Sequence, residues 1–247
     1  MRSIAIIQAR MGSTRLPGKM MLPLAGEHVL THDIQRVSAA DHVDEVVVAT
    51  SEKTADDIIC RYATRADATV FRGDESDVLG RVYDAAQTAN ADIIVRITGD
   101  CPLIDPDTID AVVAPVAENG IDYAANIFER TFPRGLDVEA FTLESFERVQ
   151  EEATEPYHRE HVTPYYREEA NRFATKSIVA TEVSDDPQFQ NRDDLRLTLD
   201  EAADYELLRT IYENIVFNDI LPICEAIRYV DENNLMSINT DIEQETH

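Results

Sequence analysis

The stretch IAIIQARMGSTRLPGK, residues 4–19, places a short apolar run directly before a loop rich in glycine and positive charge. The run Ile4–Gln8 has the length and the β-branched content of a buried strand. The loop contains two hydroxyl side chains, two arginines, Gly12, Gly18 and Lys19. Glycine lets the backbone approach a ligand, and free N–H groups and cationic side chains bind phosphate oxygens. The stretch therefore predicts a strand that ends in a phosphate-binding loop.

The spacing of this loop does not fit the common phosphate-binding motifs. Five residues separate Gly12 from Gly18, where a P-loop has four, and Met20 stands where that motif has serine or threonine. The dinucleotide-binding pattern G-x-G-x-x-G does not occur in the sequence. We therefore expect a phosphate site of a different architecture.

The first half of the chain alternates strand-like and helix-like segments, which is the pattern of βαβ units. Such units form a mainly parallel sheet with helices on both faces, a three-layer α/β fold, and bind ligands beyond the carboxyl ends of the strands. The predicted strands are Ile4–Gln8, Glu45–Thr50, Thr69–Phe71 and Asp92–Ile97, and the predicted helices are Val29–Ala39, Thr54–Thr64 and Ser76–Asn90, with Thr54 and Ser76 as N-caps.

The second half of the chain is less regular. We expect an additional strand pair from the 121–180 region and a frayed tail at about 241–247. With no long linker, residues 1–247 are expected to form one domain. The predicted strands are Ile121–Ile127, Val138–Phe141, Phe173–Ala180 and Leu195–Leu199, and the predicted helices are Leu143–Ala153, Ala202–Asn214 and Leu221–Val230.

Composition limits the partners and the compartment. The net charge of −26 argues against binding to nucleic acid or to anionic membranes, since both would be repelled. The chain has only three lysines, and an acidic, lysine-poor surface suggests a high-salt cytoplasm. Three scattered cysteines, Cys60, Cys101 and Cys224, indicate a reducing compartment. With no signal-like or membrane-spanning segment recognised, we expect a soluble cytoplasmic protein.

Two aspartates at the ends of strand-like segments are candidate metal ligands. Asp100 comes directly after the fourth predicted strand, where a hard cation such as Mg²⁺ that carries substrate phosphates would lie. Asp200 is either a second ligand or the N-cap of the helix from Ala202. The pair Asp105 and Asp107 matches an Asp-x-Asp motif, but the proline between them favours a helix start.

Two segments near the middle of the chain, residues 133–139 and 157–164, are unusually polar for their positions beside strands. Arg134 is suited to pair with a substrate carboxylate through a two-pronged contact. His158 and His161 lie three residues apart, but no nearby ligand completes a zinc set. These histidines are therefore expected to contact a polar substrate or to belong to a surface network.

Six segments resemble, in the same order, motifs of the sugar-acid cytidylyltransferases, the superfamily of 3-deoxy-manno-octulosonate and acylneuraminate cytidylyltransferases. The branch with the greatest similarity is typified by the spore coat polysaccharide biosynthesis protein F. The resemblance covers about residues 3 to 210 and is most specific in the first loop. The segments are residues 8–19, 71–82, 98–106, 133–139, 159–165 and 197–205.

The resemblance implies a role for each matching residue. It implies catalytic roles for Arg10, Lys19 and Asp100, and Mg²⁺ on Asp100 and Asp200. The residues implied to bind CTP are Ala9, Arg10, Gly12, Ser13, Thr14, Arg15, Lys19 and Asp100, with Asp77 and Arg81 near the cytosine. Those implied to face the sugar are Arg134, Asp137, Glu139, Arg159 and His161.

The reaction implied is attack of a sugar-acid hydroxyl on the α-phosphorus of CTP, which gives a CMP-sugar for surface polysaccharide or glycan and releases pyrophosphate. Relatives of this type commonly form homodimers. Two alternatives remain open from the residues: a nucleotidyltransferase that uses another nucleoside triphosphate with a sugar phosphate, and a non-catalytic nucleotide-binding protein of a glycan operon.

Overall fold

The computed structural model describes residues 1–242 around a seven-stranded sheet of order β5-β4-β1-β6-β8-β7-β9. Within this described sheet only β8 runs antiparallel to its neighbours. A separate antiparallel pair is formed by β2 and β3. The strands are β1 (Ser3–Gln8), β2 (Pro23–Leu24), β3 (Glu27–His28), β4 (Glu45–Ser51), β5 (Thr69–Gly73), β6 (Ile93–Thr98), β7 (Tyr123–Ala125), β8 (Glu139–Thr142) and β9 (Thr175–Ser177).

Helices cover both faces of the sheet. The helices are α1 (Val29–Ser38), α2 (Asp57–Arg65), α3 (Val78–Thr88), α4 (Pro106–Glu118), α5 (Leu143–Glu152), α6 (Pro156–His161), α7 (Pro164–Glu168), α8 (Ala202–Asn214) and α9 (Ile223–Glu232). Alternate residues of a strand point to opposite faces. Accordingly, Ala5 and Ile7 of β1 pack in the core with α1, α4, α8 and α9, whereas Ile4 and Ile6 pack with α3 and α5. The predicted three-layer α/β fold is confirmed.

Two N-cap predictions are wrong. The N-cap of α3 is Asp77, whose carboxylate accepts from the Gly80 N–H at 2.9 Å, while Ser76 bonds to Asp74. Thr54 lies in a short 3₁₀ turn, and α2 begins only at Asp57. In both places several polar residues precede the helix, and the sequence does not show which one reaches the free N–H groups.

One strand prediction is also wrong, and two are shortened. Among residues 1–242, the segment Leu195–Leu199 makes a single bridge, between Arg134 and Arg196. The strands predicted at Ile121–Ile127 and Phe173–Ala180 form over three residues each, as β7 and β9, and extend the main sheet. The two-residue strands β2 and β3 and the short helices α6 and α7 were not predicted, because such lengths carry little periodic signal.

The carboxyl-terminal residues are only partly described. Asp241 and Ile242 lie in a turn and a bend, and residues 243–247, the rest of the predicted frayed tail, fall outside the described residues. Throughout residues 1–242, no helix combines the length and the apolar character that a membrane span requires.

Candidate active site

The loop after β1 is fixed to the end of β4 by one buried carboxylate. Asp56 accepts from the Met11 N–H at 2.7 Å and from the Ser51 hydroxyl. Gly18 closes the loop with φ of +72°, a left-handed conformation that favours glycine, and its N–H donates to the Met11 carbonyl at 3.2 Å. The loop therefore returns toward the sheet, and the next residue, Lys19, is aimed at the carboxyl ends of β1 and β6.

A close backbone contact brings the loop after β6 against the end of β1. The Gly99 N–H donates to the Gln8 carbonyl at 2.9 Å. A Cβ atom on Gly99 would lie 2.8 Å from that oxygen and 2.8 Å from Met20 Cε, too close for any other residue without movement. This approach places Asp100 beside Lys19.

Lys19, Asp100 and Asp200 form one compact charged cluster. The Lys19 Nζ atom lies 2.8 Å from Asp100 Oδ2 and 3.0 Å from Asp200 Oδ1, and it also donates to the Leu199 carbonyl at 2.8 Å. The N-cap of α8 is Glu201, not Asp200. Of the two roles left open for Asp200, the structure therefore does not support the capping role.

The charges of this cluster reinforce one another. Burial lowers the pKa of the Lys19 ammonium, but Asp100 and Asp200 outweigh it and leave that pKa above its ordinary value. Burial raises the pKa of Asp100, but the charge and hydrogen bond of Lys19 leave it below its ordinary value. Nearby Asp33 is different: burial and the Asp100 charge raise its pKa well above the usual range. Lys19 and Asp100 thus favour each other's charged forms, whereas burial and the Asp100 charge disfavour the charged form of Asp33.

A buried hydrogen-bond network orients the Asp200 carboxylate from the side opposite Lys19. Arg196 donates to Asp200 Oδ2 at 3.0 Å and to both oxygens of Asp204, which is fully buried. Asp204 also accepts from the N–H groups of Asp200 and Glu201, at 2.9 and 3.0 Å. Asn239 completes the network with a bond of 2.9 Å to Asp204. Asp200 is therefore held in one direction, toward Lys19.

The cluster forms the floor of a cavity of about 580 Å³ beyond the carboxyl ends of β1 and β6. Eight of the residues predicted to bind the nucleotide line it: Ala9, Arg10, Ser13, Thr14, Arg15, Lys19, Arg81 and Asp100. Two others do not. Gly12 lies off the cavity, and Asp77 caps α3 and pairs with Arg159.

Arg81 lines this cavity and has one unsatisfied polar atom. The residue is 4% exposed, and Nη1 donates to the Asp74 carbonyl at 2.5 Å. Its buried Nε atom has no hydrogen-bond partner among residues 1–242. Burial and the neighbouring Arg10 lower the pKa of Arg81. Leaving a buried donor unpaired is costly, but this atom is enclosed by protein, and a ligand in the cavity would reach it only if the side chain moved.

A second cavity of about 320 Å³ adjoins the first. Arg96, Thr98 and His161 line both. The second cavity also contains the predicted substrate residues Arg134, Asp137 and Glu139. The two predicted groups of residues therefore surround two neighbouring spaces that share one wall.

The arginines of the second cavity fall into two groups. Arg96 pairs with Glu139, and Arg130 pairs with Asp137 at 2.8 Å. Arg134 and Arg167 make no side-chain hydrogen bond or ion pair with any described residue. Burial and nearby Arg130 lower the pKa of Arg134. After internal pairing, two positive charges remain for a ligand.

Two of the remaining sequence-predicted residues have structural contacts. Arg159 lies off both cavities and binds Asp77 and Gln150. His158 is buried and pairs with Glu168 at 2.7 Å. Sequence reasoning missed Arg96, Arg130 and Arg167, because all three lie just outside the six segments that resemble family motifs.

The carboxylate pair fits a divalent cation by its chemistry. Carboxylate oxygens are the ligands that Mg²⁺ prefers, and Mg²⁺ usually takes one or two of them and completes its shell with water and substrate phosphates. No group of three histidine, cysteine or acidic side chains in the described part of the chain could enclose a metal ion. The site therefore suits a cation that is shared with a phosphate ligand.

A cytidylyltransferase family model matches residues 4–227. The chain belongs to the cytidylyltransferase family. A cytidylyltransferase of Leptospira borgpetersenii is 35% identical over the full length of both chains, with a TM-score of 0.88. The spore coat polysaccharide biosynthesis protein SpsF of Bacillus subtilis is 33% identical and covers 92% of this chain and 93% of its own length. A 3-deoxy-manno-octulosonate cytidylyltransferase of Geobacter sulfurreducens is 39% identical over 48% of this chain and 47% of its own.

These similarities confirm the family resemblance seen in the sequence motifs. The protein is a nucleotidyltransferase enzyme with the α/β fold of the family.

Proposed function

We propose that this cytidylyltransferase uses CTP and Mg²⁺ to convert a sugar acid to a CMP-sugar, with release of pyrophosphate. The observation that carries the acidic acceptor is the pair Arg134 and Arg167. In a chain with a net charge of −26, these two arginines line one cavity with no carboxylate partner in the described chain. Paired guanidinium groups are well suited to bind a carboxylate.

The first cavity offers the groups that a triphosphate needs. Arg10 lines it and makes no ion pair with a described residue. Thr14 also lines it, and its N–H group donates to no residue in the described range. Free N–H groups and a free guanidinium supply the fixed donors that bind phosphate oxygens.

The cytosine is proposed to lie near Arg81. Arg81 lines the first cavity, and the resemblance of residues 71–82 to a family motif implies a position near the base.

The shared wall of the two cavities brings the reacting groups together. A triphosphate in the first cavity and a sugar in the second would meet beside Arg96, Thr98 and His161. Arg96 is fixed there from two sides, by Gln8 at 2.7 Å and by Glu139. Holding two reactants in this way removes much of the entropic part of the barrier.

During the reaction, the side chains of the site stabilise the negative charge of the phosphate groups. The acceptor hydroxyl oxygen bonds to the α-phosphorus and releases its proton to water, while the bond from that phosphorus to the bridging oxygen breaks and pyrophosphate leaves. Mg²⁺ held by Asp100 and Asp200 would neutralise phosphate charge. Arg10 and Lys19 stabilise the charge that develops on the departing pyrophosphate.

Nucleotide choice is tested by thermal shift. With Mg²⁺ present, we expect CTP alone among the four common nucleoside triphosphates to raise the melting temperature, because a ligand that binds only the folded state stabilises it. A preference for UTP or GTP would favour the alternative nucleotidyltransferase. No shift with any nucleotide would favour the non-catalytic protein and overturn the proposal.

We also infer that the enzyme forms one domain, acts as a homodimer in a saline cytoplasm, and serves surface polysaccharide or glycan synthesis. The acidic, lysine-poor composition supports the habitat, and the similarity to SpsF supports the pathway. Light scattering at molar salt is expected to give the mass of a dimer, and a monomer alone would contradict it.

A further inference from the structure

The ammonium of Lys19 fills the space between the two carboxylates that the proposed function assigns to the metal. An ammonium has three N–H donors. All three are directed to Asp100, Asp200 and the Leu199 carbonyl, at 2.8, 3.0 and 2.8 Å. In this arrangement Lys19 has no donor left for a phosphate.

Both oxygens of the Asp200 carboxylate already contact cationic side chains. Arg15 lies 3.0 Å from Oδ1, and Arg196 lies 3.0 Å from Oδ2. The Lys19 and Asp200 side chains are only 13% and 16% exposed, so their attraction is weakly screened by solvent. A divalent cation that binds Asp100 and Asp200 must therefore displace Lys19, because two cations cannot share this space without strong repulsion.

We propose that Lys19 is the resident counter-ion of Asp100 and Asp200, and that it exchanges with the divalent cation when a triphosphate binds. The triphosphate draws the ammonium toward its own oxygens, and the cation takes the vacated place between the carboxylates. The exchange rests on the proposed function for the identity of the triphosphate and of the cation. It makes metal binding weak in the nucleotide-free protein and couples the arrival of metal to that of nucleotide.

Binding of Mn²⁺ without nucleotide, followed by electron paramagnetic resonance, tests this exchange. Lys19→Met removes the competing charge, so we expect its Kd for Mn²⁺ to be at least about tenfold lower than that of the wild type. Lys176→Met is the matched control. It removes the same charge from an exposed pair with Glu182, 2.9 Å away, and should leave the Kd unchanged.

A double variant locates the effect. In the double variant Lys19→Met with Asp100→Asn, the gain in Mn²⁺ affinity should disappear, because one of the two carboxylates that bind the cation has been removed. Lys19→Gln gives the same comparison if the methionine variant folds poorly, and Mn²⁺ should raise the melting temperature of either variant more than that of the wild type.

Three results would overturn the exchange: an unchanged Kd in Lys19→Met, an equal gain in Lys176→Met, or a gain that survives Asp100→Asn. Its failure differs from failure of the proposed function. If Lys19→Met shows no gain while the wild type still releases pyrophosphate from CTP, the exchange is wrong and the function stands. If Lys19→Met gains Mn²⁺ affinity but the wild type binds no CTP, the exchange of cations holds and the proposed function fails.

Discussion

Replacing Asp100 with asparagine is expected to reduce pyrophosphate release by about a thousandfold or more. The change removes one of two carboxylates proposed to hold Mg²⁺, and such a metal supplies several kcal/mol of charge stabilisation, at about 1.4 kcal/mol for each factor of ten. CTP binding without metal should survive or improve, because a negative charge beside the triphosphate disappears. Pyrophosphate release and calorimetric CTP binding in a chelator measure the two effects separately.

Asp107→Asn is the matched control for this prediction. Asp107 is exposed at the start of α4, seven residues further along the chain, and lines neither cavity. Its substitution should change activity less than twofold. Near-normal magnesium-dependent activity in Asp100→Asn would show that the metal site has been misplaced. A large loss of activity in Asp107→Asn would instead indicate that the Asp-x-Asp motif binds the metal.

Arg134→Met and Arg167→Met are each expected to raise the KM for the acid acceptor about tenfold to hundredfold. Each variant removes a charge-assisted hydrogen bond of about 1.5–3 kcal/mol to the carboxylate. The Kd for CTP should stay within about twofold of the wild type, because neither residue lines the first cavity. Steady-state kinetics with varied acceptor, together with calorimetric CTP binding, distinguish the two effects.

Two further arginine variants serve as controls for this result. Arg61→Met removes an exposed arginine of α2 that also has no described ion pair and lines neither cavity, so it should change neither constant. Arg10→Met should have the opposite effect to the second-cavity variants: it should weaken CTP binding and leave the KM for the acceptor nearly unchanged. If Arg134→Met and Arg167→Met weaken CTP binding instead of acceptor binding, the second cavity is not the acceptor site.

The parallel half of the fold was predictable because its pattern is local. Strands such as β1 and β4 are continuous apolar runs, and the helices between them show the helical period. The segment Leu195–Leu199 shows why a pattern can mislead. Its three leucines are buried in the core, which produces a strand-like alternation, but its backbone makes a strand-like bridge with one residue, Arg134. Its other backbone bonds go to separate residues, such as that from the Leu199 N–H to the Asp100 carbonyl. Burial of the leucines therefore produced a strand-like sequence pattern in a segment that pairs with no strand among the described residues.

The candidate site was predictable where one segment supplies several of its groups. The loop after β1 supplies six of the eight predicted residues that line the first cavity. The second cavity draws on distant segments, and its free arginine Arg167 lies on the short helix α7. Whether an arginine is paired depends on the carboxylates that folding brings near it. The sequence therefore could not separate Arg167 from paired residues such as Arg159.

Pyrophosphate release from CTP with a panel of sugar acids, 3-deoxy-manno-octulosonate among them, tests the central claim most directly. The account predicts release only when CTP, Mg²⁺ and one of the acids are all present, with a product of the mass of a CMP-sugar. The same sugar with its carboxylate reduced to an alcohol should be a poor acceptor, because Arg134 and Arg167 would then face no anion. Release with UTP, GTP or ATP in place of CTP, or with a sugar phosphate in place of the acid, would contradict the account.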